Sequence, residues 1–381
     1  MIAVRALVAD RVRIPFRRPF PTATGMWVER DAWILRLVDA DGRIGLGEAV
    51  VEPADGEVAE TILEALVRET VEGAGEGRLP SFAELEGHGA PGRALNAALD
   101  AAAFDLGRWP AESAGAFAVE APDDDEGVGV NATIPSLGTT AAAEAALQSV
   151  ESGFLTLKVK AGAERETEVL VDRVRAIRAA IGPDIRLRLD VNGAWDLGTA
   201  VDRLEAIARF DIEFVEQPLP AHDIDETAEL RRRVRVPIAA DEAAASVRDV
   251  RGLLAADAVD VLVVKPARVG GLSAVAAIAE LASERDIAVV ISTLFETGIG
   301  IAAALAAAAA LPDVASARWP IPPDHGLATA GLLEHDLLAG SLLVEDGRIR
   351  APRAAGSGGL GIALDGRALE RYRVESIGRL P

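Results

Sequence analysis

The chain of 381 residues contains no cysteine. This absence excludes disulfide bridges, zinc sites built from thiolates and catalytic thiols. Long hydrophobic runs are missing too, because the longest, Ile299 to Leu311, has 13 residues, whereas a membrane helix needs about 20. Charges such as Arg5, Asp10 and Arg13 interrupt the beginning of the chain, so it does not resemble a signal peptide. We therefore expect a cytoplasmic protein.

Positive charge is also scarce in this chain. Lysine and arginine together number 39 against 60 aspartate and glutamate residues, and the formal net charge is −21. Such a chain repels the phosphates of nucleic acids and of anionic membranes, so neither is an expected partner. Hydrophobic residues make up 50% and charged residues 26%, which is typical of a globular protein. We expect a soluble protein with a small-molecule substrate, and a homo-oligomer is left open.

Lysine is the scarcest basic residue, since only Lys158, Lys160 and Lys265 occur and the other 36 cationic residues are arginine. Arginine stays charged at any accessible pH, whereas a lysine amine can lose its proton when its surroundings lower its pKa. Lys158 and Lys160 are two apart in an apolar stretch typical of a strand, so their side chains project from the same face. Two adjacent ammonium groups disfavour each other's protonation, which predicts a lysine that acts as a base near neutral pH.

The hydrophobic pattern divides the chain into three parts. Residues 1–125 predict antiparallel strands and two helices, Glu57–Glu72 and Gly92–Leu106. Residues 126–324 alternate apolar strands with amphipathic helices, one unit about every 25 residues, which predicts an α/β fold, a parallel (β/α)7β barrel of the TIM type. Residues 325–381 are expected to return to the N-terminal part and complete an α+β capping domain. The predicted barrel strands are Val128–Ile134, Phe154–Ala161, Ile185–Val191, Glu213–Gln217, Ile238–Asp241, Val261–Pro266, Ile287–Thr293 and Ala315–Trp319.

Three carboxylates, Asp190, Glu216 and Asp241, stand at the ends of successive predicted strands. Functional residues gather at the C-terminal ends of the strands of a parallel barrel, so we expect these acids close together on one rim. Converging carboxylates repel each other unless a cation lies between them, and all-oxygen ligands suit Mg²⁺, with Mn²⁺ as the alternative. A divalent ion flanked by lysines predicts the removal of a proton α to the carboxylate of a substrate, with a lysine as the base.

The motifs around these residues resemble the enolase superfamily, in particular its muconate-lactonizing subgroup. The resemblance extends over nearly the whole chain, including the capping domain. It implies that Asp190, Glu216 and Asp241 are the ligands of a magnesium ion. The matching motifs are Lys158-Val-Lys160, Asp190-Val-Asn192-Gly-Ala-Trp195, Val215-Glu216-Gln-Pro218, Ala240-Asp241-Glu242 and Lys265-Pro266.

The same resemblance assigns roles to the three lysines. Lys160 would be the catalytic base, Lys158 the neighbour that tunes its pKa, and Lys265 the lysine on the opposite face of the substrate. Within the subgroup, the stretches Pro19–Arg30 and Ser292–Gly300 resemble the o-succinylbenzoate synthase family. The residues then expected to contact the substrate are Thr22, Trp27, Asn192, Ser292, Glu296 and Gly298.

Resemblance to that family implies a dehydration in menaquinone biosynthesis. Lys160 would remove the proton α to a ring carboxylate and then help the β-hydroxyl to leave, while Lys265 would hold a positive charge near the ring. Glycines at the start of the helix after Ser292 would leave backbone N–H groups free to bind a succinyl carboxylate. The prolines, glycine and aromatic residues of the loop 17–27 predict either a lid over the site or an ordinary connection between two strands, and we favour the lid.

Other activities of the subgroup fit part of this pattern. An N-acylamino-acid racemase needs a base on each face of its substrate, which Lys160 and Lys265 would supply, and muconate cycloisomerases share some of the motifs. Dipeptide epimerases usually carry Asp-x-Asp at the last strand, where this chain has Ser316-Ala317-Arg318. An inactive barrel that serves as a binding protein is a remote alternative, because no lysine or acid of the set is missing.

Superfamily branches that use a barrel histidine as the base are disfavoured. None of the histidines falls at the end of the sixth or seventh predicted strand, where that base would stand. The four histidines of the chain are His88, His222, His325 and His335.

Overall fold

A computed structural model of the chain describes residues 4–22, 25–52, 55–107, 127–311, 319, 321–352 and 359–381. An antiparallel sheet joins the two ends of the chain. Its strands are β1 (Val4–Thr22), β2 (Gly25–Asp39), β3 (Ile44–Ala49) and β14 (Arg373–Ile377), in the order β14-β1-β2-β3. The helices that follow β3 are α1 (Gly56–Gly75), α2 (Phe82–Glu86) and α3 (Ala90–Asp105). The predicted α+β capping domain is thus confirmed.

The side chains of β2 alternate between the two faces of this sheet, and both faces are buried. Trp33 and Leu35 pack with α1 and α3 in one cluster, whereas Ile34 belongs to the cluster that continues into the rest of the molecule. Helix α3 crosses β3 very closely, since a Cβ on Gly47 would lie 1.9 Å from the carbonyl oxygen of Ala98. Glycine at this position therefore permits the contact between strand and helix.

The central part of the chain forms a sheet of seven parallel strands, each paired with the next along the chain. None of the helices in the described ranges is both long and apolar enough to cross a membrane. The strands are β5 (Ala132–Ile134), β6 (Thr156–Lys160), β7 (Arg186–Asp190), β8 (Ile212–Glu216), β9 (Ile238–Ala240), β10 (Val261–Val264) and β11 (Ala288–Ile291). The helices are α4 (Thr139–Glu151), α5 (Thr167–Ile181), α6 (Leu197–Ile207), α7 (Ile224–Arg233), α8 (Val247–Ala255), α9 (Pro266–Val269), α10 (Leu272–Ser283) and α11 (Gly298–Ala309).

The two edges of this sheet are joined by His325 and Gly326. His325 forms a parallel bridge with Val130, just before β5, and Gly326 forms one with Ser292, just after β11. The N–H of Gly326 also donates to the carbonyl of Ile291 over 2.8 Å. The predicted barrel is confirmed. The bridges of His325 and Gly326 lie just after residue 324, where we predict the barrel domain to end, and this boundary stays a prediction.

The predicted eighth strand, Ala315–Trp319, lies outside the described residues except for Trp319. The indole of Trp319 is buried among the side chains that fill the barrel, together with Phe214 and Val263. This side chain therefore belongs to the barrel interior, as the other inward-facing residues of the strands do.

The predicted first barrel strand, Val128–Ile134, is divided in two. Its first part, β4 (Val128–Gly129), pairs with a C-terminal hairpin instead of entering the barrel. A Cβ on Gly129 would lie 2.1 Å from Oδ1 of Asp324, so the chain passes this carboxylate only because residue 129 is glycine. The hairpin consists of β12 (Val344–Glu345) and β13 (Arg348–Ile349), and α12 (Gly366–Tyr372) then leads into β14.

Residues 17–27, predicted as a loop, continue β1 and β2 as a hairpin. Phe20 pairs with Trp27 and Thr22 with Gly25, after a shift of register between Pro15 and Phe20. The hairpin extends beyond the sheet, where prolines that cannot donate a hydrogen bond are tolerated. Residues 23 and 24, between the two strands, lie outside the described residues.

Candidate active site

The charged side chains of the parallel strands gather at the C-terminal rim of the barrel. In the register of the sheet, Lys160 lies beside Asp190, and Asp190 lies beside Glu216. Asp241 directly follows β9, and Lys265 directly follows β10. The three carboxylates are at most 2% exposed, whereas the side chain of Lys160 is 30% exposed. Lys160 is therefore the member of this set most accessible from outside.

The amine of Lys158 lies between two carboxylates. Its Nζ donates to Oε1 and Oε2 of Glu216 over 2.9 and 3.1 Å, and it lies 3.0 Å from Oδ2 of Asp190. Burial acts to lower the pKa of Lys158, but the charges of Asp190, Glu216 and Asp241 outweigh burial and raise that pKa. The expectation that neighbouring ammonium groups lower each other's pKa is wrong for Lys158, because several carboxylates outweigh one ammonium.

The amine of Lys160 is oriented by two hydrogen bonds. Nζ donates to Oδ2 of Asp190 over 2.6 Å and to Oδ1 of Asn192 over 2.8 Å. Asn192 has a φ of 50°, in the left-handed region, and its Nδ2 donates to Oε1 of Glu242 over 2.9 Å. A non-glycine residue is strained there, and such strain concentrates at functional sites. The backbone at Asn192 thus accepts strain while its amide connects Lys160 to Glu242.

Asp241 is held by two cations. Its Oδ2 accepts from Nζ of Lys265 over 2.7 Å, and its Oδ1 accepts from Nη1 of Arg268 over 2.7 Å. Arg268 also pairs with Glu52, which follows β3 of the capping domain. The sequence reasoning missed Arg268. The feature of the sequence that indicates it is a second cation about one helical turn after Lys265, which stands at the end of a strand.

Gln217 is a second residue that the sequence reasoning did not assign to the site. Its Oε1 accepts from the N–H groups of Asp241 and Ala243, both over 3.0 Å, and its Nε2 donates to the carbonyl of Leu219 over 2.7 Å. The side chain is buried, and the residue has a φ of 40°. Gln217 therefore fixes the backbone at Asp241 from the neighbouring strand.

The carboxylates of the rim have perturbed pKa values. Burial raises the pKa of Glu216 to about 7, and repulsion from Asp190 adds to this effect against the attraction of Lys158. Burial also acts to raise the pKa of Asp190, but Lys158 and Lys160 outweigh it and lower that pKa to about 2. Oδ1 of Asp190 is buried and has no hydrogen-bond partner among the described residues. Buried carboxylate charge with an unpartnered oxygen suits a bound divalent cation.

The predicted metal ligands Asp190, Glu216 and Asp241 lie on adjacent strands but do not converge on one point. Within the described ranges, no set of three or more acidic, histidine or cysteine side chains is close enough together to hold a metal ion. The cause is visible in the contacts. Asp190 and Glu216 turn to Lys158, whereas Asp241 turns to Lys265 and Arg268.

The N-terminus of α11, predicted to bind a carboxylate of the substrate, is occupied by carboxylates of the chain itself. The N–H groups of Thr297 and Gly300 donate to Glu48 over 2.9 Å each, and the Thr297 hydroxyl donates to it over 2.6 Å. The N–H of Gly298 donates to Oδ1 of Asp336 over 2.7 Å. The expectation that these N–H groups are free is therefore wrong, because a helix N-terminus attracts any carboxylate within reach.

Ser292 and Glu296, expected to contact the substrate, also have partners inside the fold. Oγ of Ser292 lies 3.5 Å from the carbonyl of Gly326, where the barrel closes. Glu296 is 3% exposed and accepts a hydrogen bond from the N–H of Leu294. Burial raises the pKa of Glu296 to about 7, with a further contribution from Glu48. A substrate role for these two residues stays a prediction.

Trp27 joins the hairpin of residues 17–27 to the loop after β11. Its ring packs edge-on against Phe295 at 5.6 Å and lies 6.5 Å from Phe16. Phe295 has a φ of 61°, which is strained for an aromatic residue. The hairpin is therefore packed against the barrel at this point. The side chain of Thr22 lies outside the described residues.

Comparison with known proteins places this geometry in a family. The profile of the family described as enolase C-terminal domain-like matches residues 141–368. The o-succinylbenzoate synthase of Thermobifida fusca (strain YX) is 44% identical over 217 residues, which make up 57% of this chain and 64% of that protein. The chain thus spans less than two thirds of the length of the curated relatives it matches.

Two solved structures have the same fold over almost the entire chain. One is the dipeptide epimerase of Cytophaga hutchinsonii, in complex with Mg and the dipeptide D-Ala-L-Val. It superposes with a TM-score of 0.80 at 23% identity and covers 99% of this chain and 100% of that one. The other is the muconate lactonizing enzyme of Pseudomonas fluorescens, in complex with muconolactone. It superposes with a TM-score of 0.79 at 24% identity and covers 98% of this chain and 99% of that one.

Proposed function

The chain belongs to the enolase C-terminal domain-like family, and on that premise we propose that it is a lyase that acts as an o-succinylbenzoate synthase. The observation that carries the proposal is the position of Lys160, a partly exposed amine fixed by Asp190 and Asn192 at the rim of the barrel. An oriented amine beside buried carboxylates suits removal of a proton α to a carboxylate. The name of the Thermobifida fusca relative supports this choice of reaction.

In the proposed reaction, the substrate is a cyclohexadiene carboxylate that carries a succinyl group and a β-hydroxyl group. Lys160, as the neutral amine, takes the proton from the carbon α to the ring carboxylate. The ammonium so formed then gives a proton to the leaving β-hydroxyl, so that water departs and the ring becomes aromatic. One group can serve both as base and as acid because removal of the α proton converts the amine into the ammonium that protonates the leaving hydroxyl.

Lys265 stands on the opposite side of the rim from Lys160. Three strands, β7, β8 and β9, separate the strands that lead to these lysines. The ammonium of Lys265 is fixed by Asp241, so we assign it the role of a fixed positive charge near the ring. A charge in this position stabilises the negative charge that develops when the proton leaves.

We propose magnesium as the metal of this site, and Asp190, Glu216 and Asp241 would hold it after their carboxylates turn from Lys158, Lys265 and Arg268 to the ion. The unpartnered buried oxygen of Asp190 and the all-oxygen set of donors fit this ion. When bound, Mg²⁺ stabilises the negative charge that develops on the carboxylate of the substrate. The dipeptide epimerase of Cytophaga hutchinsonii, which has the same fold, contains Mg in its crystal structure.

Racemization of N-acylamino acids is the second candidate activity, because one lysine stands on each side of the rim. It requires Lys265 to exchange a proton as Lys160 does. In the dehydration, Lys265 needs only its charge. The two activities therefore make different demands on the same residue.

The test is to offer both substrates to the purified chain with Mg²⁺. We expect the cyclohexadiene carboxylate to give the aromatic product, detected by its ultraviolet absorbance, and chelation to abolish the reaction until Mg²⁺ or Mn²⁺ is restored. N-succinylamino acids in D₂O report racemization through α-proton exchange, followed by NMR. Exchange without dehydration would favour the racemase, and full activity after exhaustive chelation would contradict the metal site.

A further inference from the structure

The loop that follows Lys160 is held by hydrogen bonds and an ion pair of buried charged side chains. Gly162 has a φ of 104°, and a Cβ on it would lie 2.7 Å from the carbonyl of Val191, so the chain passes close under β7. The N–H of Gly162 donates to Oε2 of Glu164 over 2.8 Å. The carboxylate of Glu164 thus bonds to the backbone two residues after Lys160.

Arg173, on α5 outside the barrel, connects this loop to the backbone of Lys160. Its guanidinium forms an ion pair with Glu164, in which both side chains are 4% exposed. Its Nη2 also donates to the carbonyl of Lys160 over 3.0 Å, and its Nη1 donates to the carbonyl of Leu137 over 3.3 Å. One buried guanidinium therefore connects the end of β6, the segment between β5 and α4, and the loop between β6 and α5.

A second buried arginine supports the same loop. Nη2 of Arg203, on α6, donates to the carbonyls of Glu164 and Arg165 over 2.8 and 3.0 Å. The guanidinium of Arg203 lies over the ring of Trp195, 5.2 Å from its centre. The loop after Lys160 is therefore held by buried arginines of two successive helices, α5 and α6.

We propose that the Glu164–Arg173 pair is a positioning element that holds the amine of Lys160 at the reacting carbon. A buried ion pair is weak evidence for stability, since an apolar pair of similar size often stabilises a fold as well. A catalytic group, by contrast, must stay within about 0.5 Å of its productive position. The planar guanidinium joins the Lys160 carbonyl and Glu164 in one rigid geometry, whereas the ammonium of a lysine is flexible and an apolar side chain offers no donor. This inference rests on the proposed function, in which Lys160 is the base.

Four variants separate positioning from stability. Arg173→Met removes the guanidinium, and Arg173→Lys keeps the positive charge but not the planar set of N–H donors. The double variant Glu164→Gln/Arg173→Met removes both buried charges together. Arg175→Met is the matched control, because Arg175 lies on the same helix with its side chain 55% exposed and pairs with exposed Asp172. Each variant is measured for thermal stability, Mg²⁺ affinity, and kcat and KM of the dehydration.

We expect Arg173→Met to lower kcat by about 10- to 100-fold, as displacement of a catalytic group does, with KM and Mg²⁺ affinity within about threefold of the wild type. Arg173→Lys should recover part of kcat. The double variant should regain stability, because no charge is left buried alone, yet its kcat should stay low. A kcat of wild-type size in the double variant would overturn the proposal and leave the ion pair a purely structural feature.

A second measurement does not depend on the proposed reaction. The chain has three lysines, so mild acylation followed by peptide mapping reports each amine separately. We expect Lys160 to react several-fold faster in the double variant than in the wild type, with Lys158 and Lys265 unchanged. If the wild type does not dehydrate the substrate, the proposed function fails while this result still supports the positioning of Lys160. Unchanged acylation of Lys160 would overturn the positioning itself.

Discussion

Nζ of Lys158 lies 2.9 Å from Oε1 and 3.1 Å from Oε2 of Glu216, so one ammonium contacts both oxygens of this carboxylate. A buried carboxylate needs such a partner, because an isolated buried charge is very costly. Glu216 is one of the three carboxylates that we propose as metal ligands, and the ammonium of Lys158 beside it offsets its charge in part. This relationship leads to the first prediction.

Replacing Glu216 by glutamine should weaken metal binding. The substitution keeps the size of the side chain and removes one of three negative charges, so we expect the Kd for Mn²⁺ to rise by about 10-fold or more, as loss of groups around a metal does. Isothermal titration calorimetry measures this change. Glu229→Gln is the control, because Glu229 is exposed on α7 and pairs with Arg233. An unchanged affinity in Glu216→Gln would remove this residue from the metal site.

Protonation of His325 should lower the free energy of unfolding in acid. Burial lowers the pKa of this imidazole to about 4, with a further contribution from Arg188, and its Nδ1 accepts from the N–H of Ile291 over 3.0 Å. The folded state thus binds fewer protons than the unfolded state between pH 4 and the ordinary histidine value near 6.5. The stabilisation is complete above about pH 6.5 and is lost as the pH falls towards 4, by up to about 3 kcal/mol.

This prediction is checked by urea unfolding between pH 4 and 7. His325→Asn keeps an acceptor in the ring position and cannot titrate. Its free energy of unfolding should therefore fall less steeply with decreasing pH than that of the wild type. His222→Asn is the control, because the side chain of His222 is 84% exposed. Identical curves for the wild type and His325→Asn would show that another group causes the acid sensitivity.

Glu48 should matter to the stability of the barrel although it lies in the capping domain. Its carboxylate accepts three hydrogen bonds at the N-terminus of α11. Glu48→Ala leaves these buried donors without an acceptor, and we expect the free energy of unfolding to fall by about 2–4 kcal/mol. Glu57→Ala is the matched control, since Glu57 is an exposed acid in the first turn of α1. Equal effects of both substitutions would contradict this role for Glu48.

The barrel and the rim could be predicted from sequence because their signals are periodic. Asp190, Glu216 and Asp241 recur at the ends of successive strands, and a parallel sheet necessarily brings such ends to one edge. The pairing of Lys158 and Lys160 followed from the two-residue period of a strand. These features depend on local spacing alone.

Contacts between distant parts of the chain could not be predicted in this way. Glu48 lies 249 residues before Thr297, so no local pattern shows that it occupies the N-terminus of α11. The sequence predicts a substrate site at the glycines after Ser292, because the carboxylate of Glu48 is far from them along the chain. Arg268 was missed for a similar reason, since its partner Glu52 is 216 residues away.

The central claim is that Lys160 is the base and that Lys265 contributes only its charge. The most direct test compares kcat of the dehydration in Lys160→Arg and Lys265→Arg, with Mn²⁺ affinity measured in both to confirm an intact site. Arginine keeps the charge and cannot lose a proton at working pH. We predict that Lys160→Arg loses about 10²–10⁴-fold in kcat, whereas Lys265→Arg retains clearly more activity. Equal tolerance of arginine at the two positions would contradict the assignment of Lys160 as the base.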